Sequence, residues 1–267
     1  MKKLLLLALV TLSTLFSACL FEDDEDEWDA AKVCPEAGTN AYGMPNRGEF
    51  TDARDGRVYK YTTIGDQVWM AENLKFELPY PYSLCYGMEV CKEEWWEDTT
   101  CTRDTTHLAE IAQRMQSTCT DNDCIATEWC EKVGRYYTLY EDGADKGLLN
   151  RALIDTICPK GWHIPTKDEF EILMKTVEYE QGRIMSSDST LFIYAQDKFP
   201  GNDVCGFAAL FAGWFSFSDF REYFHYGKFA SSTSRNSGYA YALWLGFNSK
   251  VYIEDASPKT SVRCLKD

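Results

Sequence analysis

Cys158-Pro159-Lys160-Gly161-Trp162-His163-Ile164-Pro165-Thr166-Lys167-Asp168-Glu169-Phe170 carries the clearest structural signal in the chain. Thr166 followed three residues later by Glu169 is a capping box: each side chain can satisfy the other residue's orphan backbone N–H. Pro165 keeps the helix from starting earlier. Phe170, Leu173 and Val177 then supply its buried face. Outward from this helix the chain reads mostly as strand and turn. Upstream, Asp55-Gly56 is a turn signal, followed by strand-like Val58–Thr62 and Gln67–Met70, a hairpin or meander. Tyr136 to Tyr140 reads as a strand, and Leu148, Leu149, Ala152 and Leu153 as a short helix. Beyond about residue 182 the texture is β-rich. Ala240 to Phe247 alternates, Lys250 to Ile253 can pair with it across Asn248-Ser249, and Ser261-Val262-Arg263-Cys264 reads as a closing strand. The fold class expected is α+β, mostly antiparallel, with one or two main helices and no internal repeat.

Residues 84–134 interrupt the strand pattern with a cysteine-rich, charged segment. Within it Leu108, Ile111, Ala112 and Met115 share one face of an amphipathic helix. His107 precedes that helix with no second histidine nearby, and reads as a surface or capping residue. The spacing Cys119-x4-Cys124-x5-Cys130 looks somewhat like a metal cluster, but zinc sites are usually tighter, so disulfides are the expected reading.

Hydrophobic residues make up 45% of the 267 and aromatics 15%, which excludes a disordered, coiled-coil or collagen-like chain. The net charge of −15 argues against nucleic acid as a partner, since phosphate binding needs a basic face. Three histidines leave little material for histidine catalysis or metal sites.

Met1-Lys2-Lys3 is a short positive segment, and Leu4 to Leu15 is an apolar run too short to span a bilayer permanently. Phe16-Ser17-Ala18-Cys19 then resembles a bacterial lipobox, in which Cys19 becomes the acylated mature N-terminus; ordinary cleavage after Ala18 is the competing reading. Residues 1–18 are accordingly expected to be a signal peptide and 19–45 a lipidated acidic tether and linker. Glu22 to Glu27 is wholly acidic and repels anionic headgroups, so it holds the domain off the membrane. It reads either as a plain solvated tether or as a surface-export signal. The anchor places the protein outside the cytoplasm on the outer membrane, with the membrane as a partner. Eleven cysteines less Cys19 leave an even set, as a disulfide framework requires.

Six blocks occur in order: Asp52-Ala53-Arg54-Asp55-Gly56-Arg57-Val58-Tyr59; Ile64-Gly65-Asp66-Gln67-Val68-Trp69-Met70-Ala71-Glu72-Asn73-Leu74; Gly134-Arg135-Tyr136-Tyr137-Thr138; Cys158-Pro159-Lys160-Gly161-Trp162-His163-Ile164-Pro165-Thr166; Gly206-Phe207-Ala208-Ala209-Leu210; and Ser261-Val262-Arg263-Cys264. With these the chain resembles the Fibrobacter succinogenes major paralogous domain family of exported, often lipid-anchored proteins, over about residues 46–267. The family has no established activity, and the resemblance implies no cofactor. Its architecture is similar to C-type-lectin-like domains, which implies a long-range bridge from Cys158 to Cys264. Closing a loop of that size is worth roughly 4–5 kcal/mol in the chain-entropy model. Two other pairings stay open: Cys205 with either partner, or Cys34 with the closing strand. The chain departs from the family pattern in the length of the 84–134 insertion and in Phe229-Ala230-Ser231-Ser232, where Trp-Trp-Ser-Ser is expected.

Motif chemistry is sparse. The triplets of a calcium-dependent lectin are absent, and Asn202-Asp203 and Glu254-Asp255 read as solvated turns. There is no nucleophile elbow, zinc-protease helix or phosphate loop, so no catalytic residue and no metal ligand is assigned. The Pro165–Phe170 segment is similar to sulfatase-modifying enzymes, but their copper-binding cysteine pair is missing. Trp214, Phe215, Phe217, Phe220, Tyr223, Phe224 and Tyr226 crowd one turn-rich stretch. They either fill the core or form a surface on which sugars stack, with Trp214, Phe217, Tyr223 and Tyr226 as the candidates. Trp69, Trp162 and Trp244 read as core. Three functions compete: a surface-anchored recognition module for polysaccharide or an envelope protein, a structural envelope protein, and a hydrolytic or modifying enzyme on the same scaffold.

Overall fold

The computed structural model describes residues 27–79, 82–88, 90–92, 100–139, 151–188, 190, 201–216, 219–236, 239–246, 250–255 and 259–267. A short helix, α1 (Ala30–Val33), starts at an Asp29 cap. The strands β1 (Arg47–Thr51), β2 (Val58–Ile64) and β3 (Gln67–Met70) form an antiparallel meander that turns at Asp55-Gly56 and again at Gly65-Asp66. After β4 (Ser83–Leu84) comes a ribbon of β5 (Val90–Lys92) and β6 (Thr100–Thr102), in which Cys91 and Cys101 are register partners. The helices α2 (Leu108–Met115) and α3 (Asn122–Val133) follow, then β7 (Tyr136–Tyr137), α4 (Arg151–Ile157), β8 (Trp162–His163) and α5 (Lys167–Thr176). The remainder is β9 (Trp214–Ser216), β10 (Asp219–Arg221), β11 (Gly227–Asn236), β12 (Tyr239–Leu245), β13 (Lys250–Asp255), β14 (Thr260–Ser261) and β15 (Leu265–Lys266).

Among the described residues two larger sheets hold eleven of these strands, and β5-β6 and β9-β10 form separate two-stranded ribbons. One larger sheet has the order β1-β2-β3-β15-β8, the other β13-β12-β11-β14-β7-β4. Pairing is antiparallel except where β11 meets β14. The α+β, largely antiparallel class is therefore observed. The expected closing strand at Ser261–Cys264 is corrected. Its first residue ends β14 in one sheet, the chain crosses over at Val262–Cys264, and β15 joins the other sheet against β3 and β8. During the crossing Val262 and Cys264 still accept from Leu74 and Met70 N–H, so the step between sheets leaves those carbonyls satisfied.

The capping box forms as the sequence dictates. Thr166 Oγ1 accepts from Glu169 N–H at 3.2 Å, and the Glu169 carboxylate accepts from Thr166 N–H at 2.7 Å. The buried face of α5 then packs between the two sheets: Phe170 stacks on Trp69 of the first at 5.5 Å, Phe207 meets the same indole edge-on at 5.6 Å, and Leu243 and Leu245 of the second close the cluster. Each fully buried side chain of this kind contributes about 1.5–3 kcal/mol.

Four disulfides join described residues: Cys34–Cys205, Cys85–Cys130, Cys119–Cys124 and Cys158–Cys264, the last with a Cα separation of 6.0 Å. The first corrects the reading of residues 28–45 as linker. Cys34 is fastened 171 residues away, the Trp28 indole donates to Thr176 O at 3.0 Å, and the Arg183 guanidinium lies 3.7 Å over its ring. The segment lacks periodicity because its order comes from distant partners. The 84–134 segment likewise has a core of its own, where Leu108, Ile111, Ile125 and Trp129 pack with Tyr136, Phe220 and Phe224. His107 occupies the N-cap position of α2, its carbonyl accepting from Ile111 N–H at 3.0 Å. Its side chain makes no capping bond, and its ring lies half-buried between Tyr86 at 6.4 Å and Tyr223 at 4.9 Å.

Candidate functional site

Four of the six quoted blocks meet at Arg263. Its side chain is 0% exposed, and its guanidinium donates from Nε and Nη2 to Asn73 Oδ1 at 3.1 and 2.6 Å, and to the carbonyls of Phe207 and Ala208. The ring of Phe207 lies 4.3 Å from the cation. Asn73 in turn donates to Val133 O at 2.8 Å. Next to it Gly134, at φ +81°, passes so close that a Cβ would sit 2.8 Å from Leu74 O; only glycine fits there without a shift. Burial pushes the Arg263 guanidinium down to about 9. The same desolvation pushes the Asp203 carboxyl up to about 6, against the Ala208 N–H and the positive charges of Arg263 and Arg47. Asp203 is half-buried and accepts from Ala208 N–H at 2.8 Å, which corrects its reading as a solvated turn. Glu254-Asp255 lies in β13 paired with β12, again not in a turn. This largely buried polar knot ties the two sheets and the α3–β7 corner together.

A second polar group surrounds His163. Its Nδ1 lies 2.8 Å from Asp267 Oδ1 and its Nε2 3.0 Å from Glu169 Oε1. Two carboxylate acceptors require a proton on each nitrogen, so the ring is held as imidazolium. Its pKa is raised, first by the Glu169 hydrogen bond. The bracket fastens β8 and the chain end to the first turn of α5. The sequence names both Glu169 and His163, but the third member, Asp267, lies 104 residues from the histidine.

The aromatic stretch divides in two. Phe220 and Phe224 are buried, and Tyr223 stacks on Phe220 at 5.0 Å while its hydroxyl donates to Glu110 at 3.2 Å. Burial, with the Glu110 carboxylate beside it, pushes that phenol up to about 12. Tyr223, itself half-buried, is therefore fastened to the seam with α2 and stands apart from the Trp214–Tyr226 group. Phe217 lies outside the described residues.

Trp214 and Tyr226 form the other group, with Trp244 as the member that sequence reasoning assigned to the core. Gly213 makes this possible. At φ +65° its backbone runs so close to Arg221 that a Cβ would lie 2.2 Å from the Arg221 carbonyl oxygen, and its N–H donates to Tyr226 O at 2.9 Å. Trp244 arrives by register, opposite Lys228 across β11 and β12. The Trp214 and Trp244 rings are 4.9 Å apart, and Tyr226 is 5.7 Å from Trp244. Lys228 Nζ lies 4.6 Å from the Trp214 ring and 4.7 Å from that of Trp244. Lys228 is only 1% exposed, whereas the three rings around it stay half-buried. A desolvated ammonium over two indoles is worth about 2 kcal/mol or more, so the cation fixes the rings. Gly246, with its amide bonded both ways to Gln181 at 2.8 and 2.6 Å, leaves room for the Tyr226 ring. The result is a rigid, partly open aromatic face.

An antiparallel α+β domain with a disulfide framework, a buried arginine knot and one half-open aromatic face is the class so defined. Among the described residues no group of three or more His, Cys, Asp or Glu side chains is placed to hold a metal, and no helix is long and apolar enough to cross a membrane. The chain belongs to the Fibrobacter succinogenes major domain family, whose model matches residues 62–266. No curated protein and no solved structure matches the chain.

Proposed function

We propose that the chain is a cell-envelope lipoprotein carrying a lectin-like recognition module whose Trp214–Tyr226–Trp244 face binds polysaccharide. One observation carries the reading: three aromatic rings are held half-open by a buried Lys228 while Phe220, Phe224 and Phe229 nearby are closed off. Flat apolar faces with fixed orientation suit the C–H faces of pyranose rings. The charge of −15 disfavours anionic polymers, so neutral plant-wall glycans are the expected class. Placement of β1 and β15 in one sheet and the Cys158–Cys264 bridge support the lectin-like architecture. The Lys2-Lys3 and Leu4–Leu15 segment ending at Cys19, outside the described residues, supports the lipid anchor, and the acidic run behind it supports a tether. The reading needs no catalytic group.

The test is retention of the soluble domain by xylan and cellulose in affinity gels, for wild type, Trp214→Ala and Tyr226→Ala. Losing one stacking ring should weaken retention about tenfold, while near-ultraviolet circular dichroism keeps its aromatic signature. Equal retention by folded variants, or none by wild type on any neutral glycan, would leave the structural-protein reading in its place.

A further inference from the structure

We infer that Cys119–Cys124 is a thiol-exchange site, open to small thiols in solution while the other described bridges serve as framework. The four bridges differ in two independent ways. Cys34, Cys205, Cys85, Cys130, Cys158 and Cys264 are all buried, whereas Cys124 is exposed and Cys119 only half-buried. The buried pairs close separations of 171, 45 and 106 residues, the exposed pair a separation of 5. Exchange proceeds by direct attack of a thiolate on sulfur, so access decides which bridge reacts. The constraint a bridge places on the unfolded chain shrinks as the loop shortens, so this bridge is also the least anchored by folding.

Local geometry keeps the site in place when it opens. Cys124 is in the first turn of α3, its N–H donating to the Asp121 cap at 2.9 Å. Cys119 N–H donates to Ser117 Oγ at 3.0 Å, and Ser117 in turn bonds Glu128. Neither contact involves sulfur. The helix end favours a Cys124 thiolate and the Asp121 and Asp123 carboxylates oppose it, so access and loop size decide the reactivity of this bridge. α3 stays fastened through Cys85–Cys130 and the buried Trp129.

A small thiolate attacks Cys124 sulfur, the Cys119–Cys124 bond breaks, and Cys119 leaves as a thiolate that takes up a proton. A second thiolate attacks the small-molecule sulfur of the mixed disulfide, releasing Cys124 as a thiol and the reagent as its disulfide. Two electrons and two protons pass from two thiols to the bridge.

Native protein treated with millimolar cysteine, quenched with iodoacetamide and mapped by mass spectrometry is the test. Cys119 and Cys124 should be alkylated roughly tenfold faster, or more, than any cysteine of the three framework bridges. Labelling of a framework pair at the same rate, or of Cys119 and Cys124 only after denaturation, overturns the inference. In a second arm, Cys119→Ser exposed to cystine should hold one cysteine adduct, on Cys124. A folded variant that stays unmodified counts against exchange at this site. If the variant does not fold, the rates measured on the wild type decide.

Discussion

Replacing Glu169 with Gln removes one negative charge and leaves the side chain's size unchanged, so it isolates the electrostatics of the His163 bracket and the cap. Burial pushes the Glu169 carboxyl up, but hydrogen bonds from His163, Thr166 N–H and the Thr166 hydroxyl outweigh it and hold the group at about 2, against 4.5 for an ordinary glutamate. The side chain is 27% exposed, so solvent screens it only partly. At about 1.36 kcal/mol per pKa unit, the ionised form contributes about 3 kcal/mol of stability at pH 6. A carboxyl with a depressed folded pKa stabilises above its unfolded value, 4.5, and loses that contribution as pH falls toward about 2. The raised histidine has the opposite sign. Its contribution is complete below 6.5 and fades as pH rises through its folded value. Both are therefore fully present between pH 4.5 and 6.5. Urea unfolding followed by tryptophan fluorescence should show Glu169→Gln less stable by about 3 kcal/mol at pH 6 and by about half that at pH 3. The midpoint of thermal unfolding should drop by about 6–12 °C at pH 6. A double-mutant cycle with His163→Gln should give a coupling that shrinks as pH rises from 6.5 through the raised folded pKa of the histidine. A deficit that stays constant from pH 6 to pH 3, or one under about 0.5 kcal/mol at pH 6, would refute the reasoning.

Arg263→Met leaves Asn73 Oδ1 and the Phe207 carbonyl without their buried donor, and should cost about 3–5 kcal/mol in urea unfolding. A loss below about 1 kcal/mol would mean that water takes over the knot. Cys19→Ser should yield a protein without acyl chains, detected by mass spectrometry of the membrane fraction. An unmodified mature N-terminus in the wild type would remove the lipid anchor from the proposed function.

What could be read ahead of the structure follows the reach of each interaction. The Thr166–Glu169 box spans three residues and the β12–β13 hairpin pairs neighbours, so local patterns suffice for both. Trp28 and Cys34 look like linker because their partners are 148 and 171 residues distant. Arg263 looks like an ordinary strand residue until Asn73, 190 positions earlier, is brought against it. Tyr223 and Tyr226 are three residues apart yet face different neighbours, since Gly213 and the β9–β10 hairpin send one toward α2 and the other toward Trp244. Trp244 joins the site through cross-strand register with Lys228, which alternation alone does not disclose. The residues that carry the family resemblance, Asn73, Gly134, Cys158, Phe207, Arg263 and Cys264, sit in the knot and the bridge that hold the sheets. Trp214, Tyr226, Lys228 and Trp244 lie outside those blocks. The resemblance therefore describes the scaffold, and the proposed glycan face rests on residues that the resemblance does not reach.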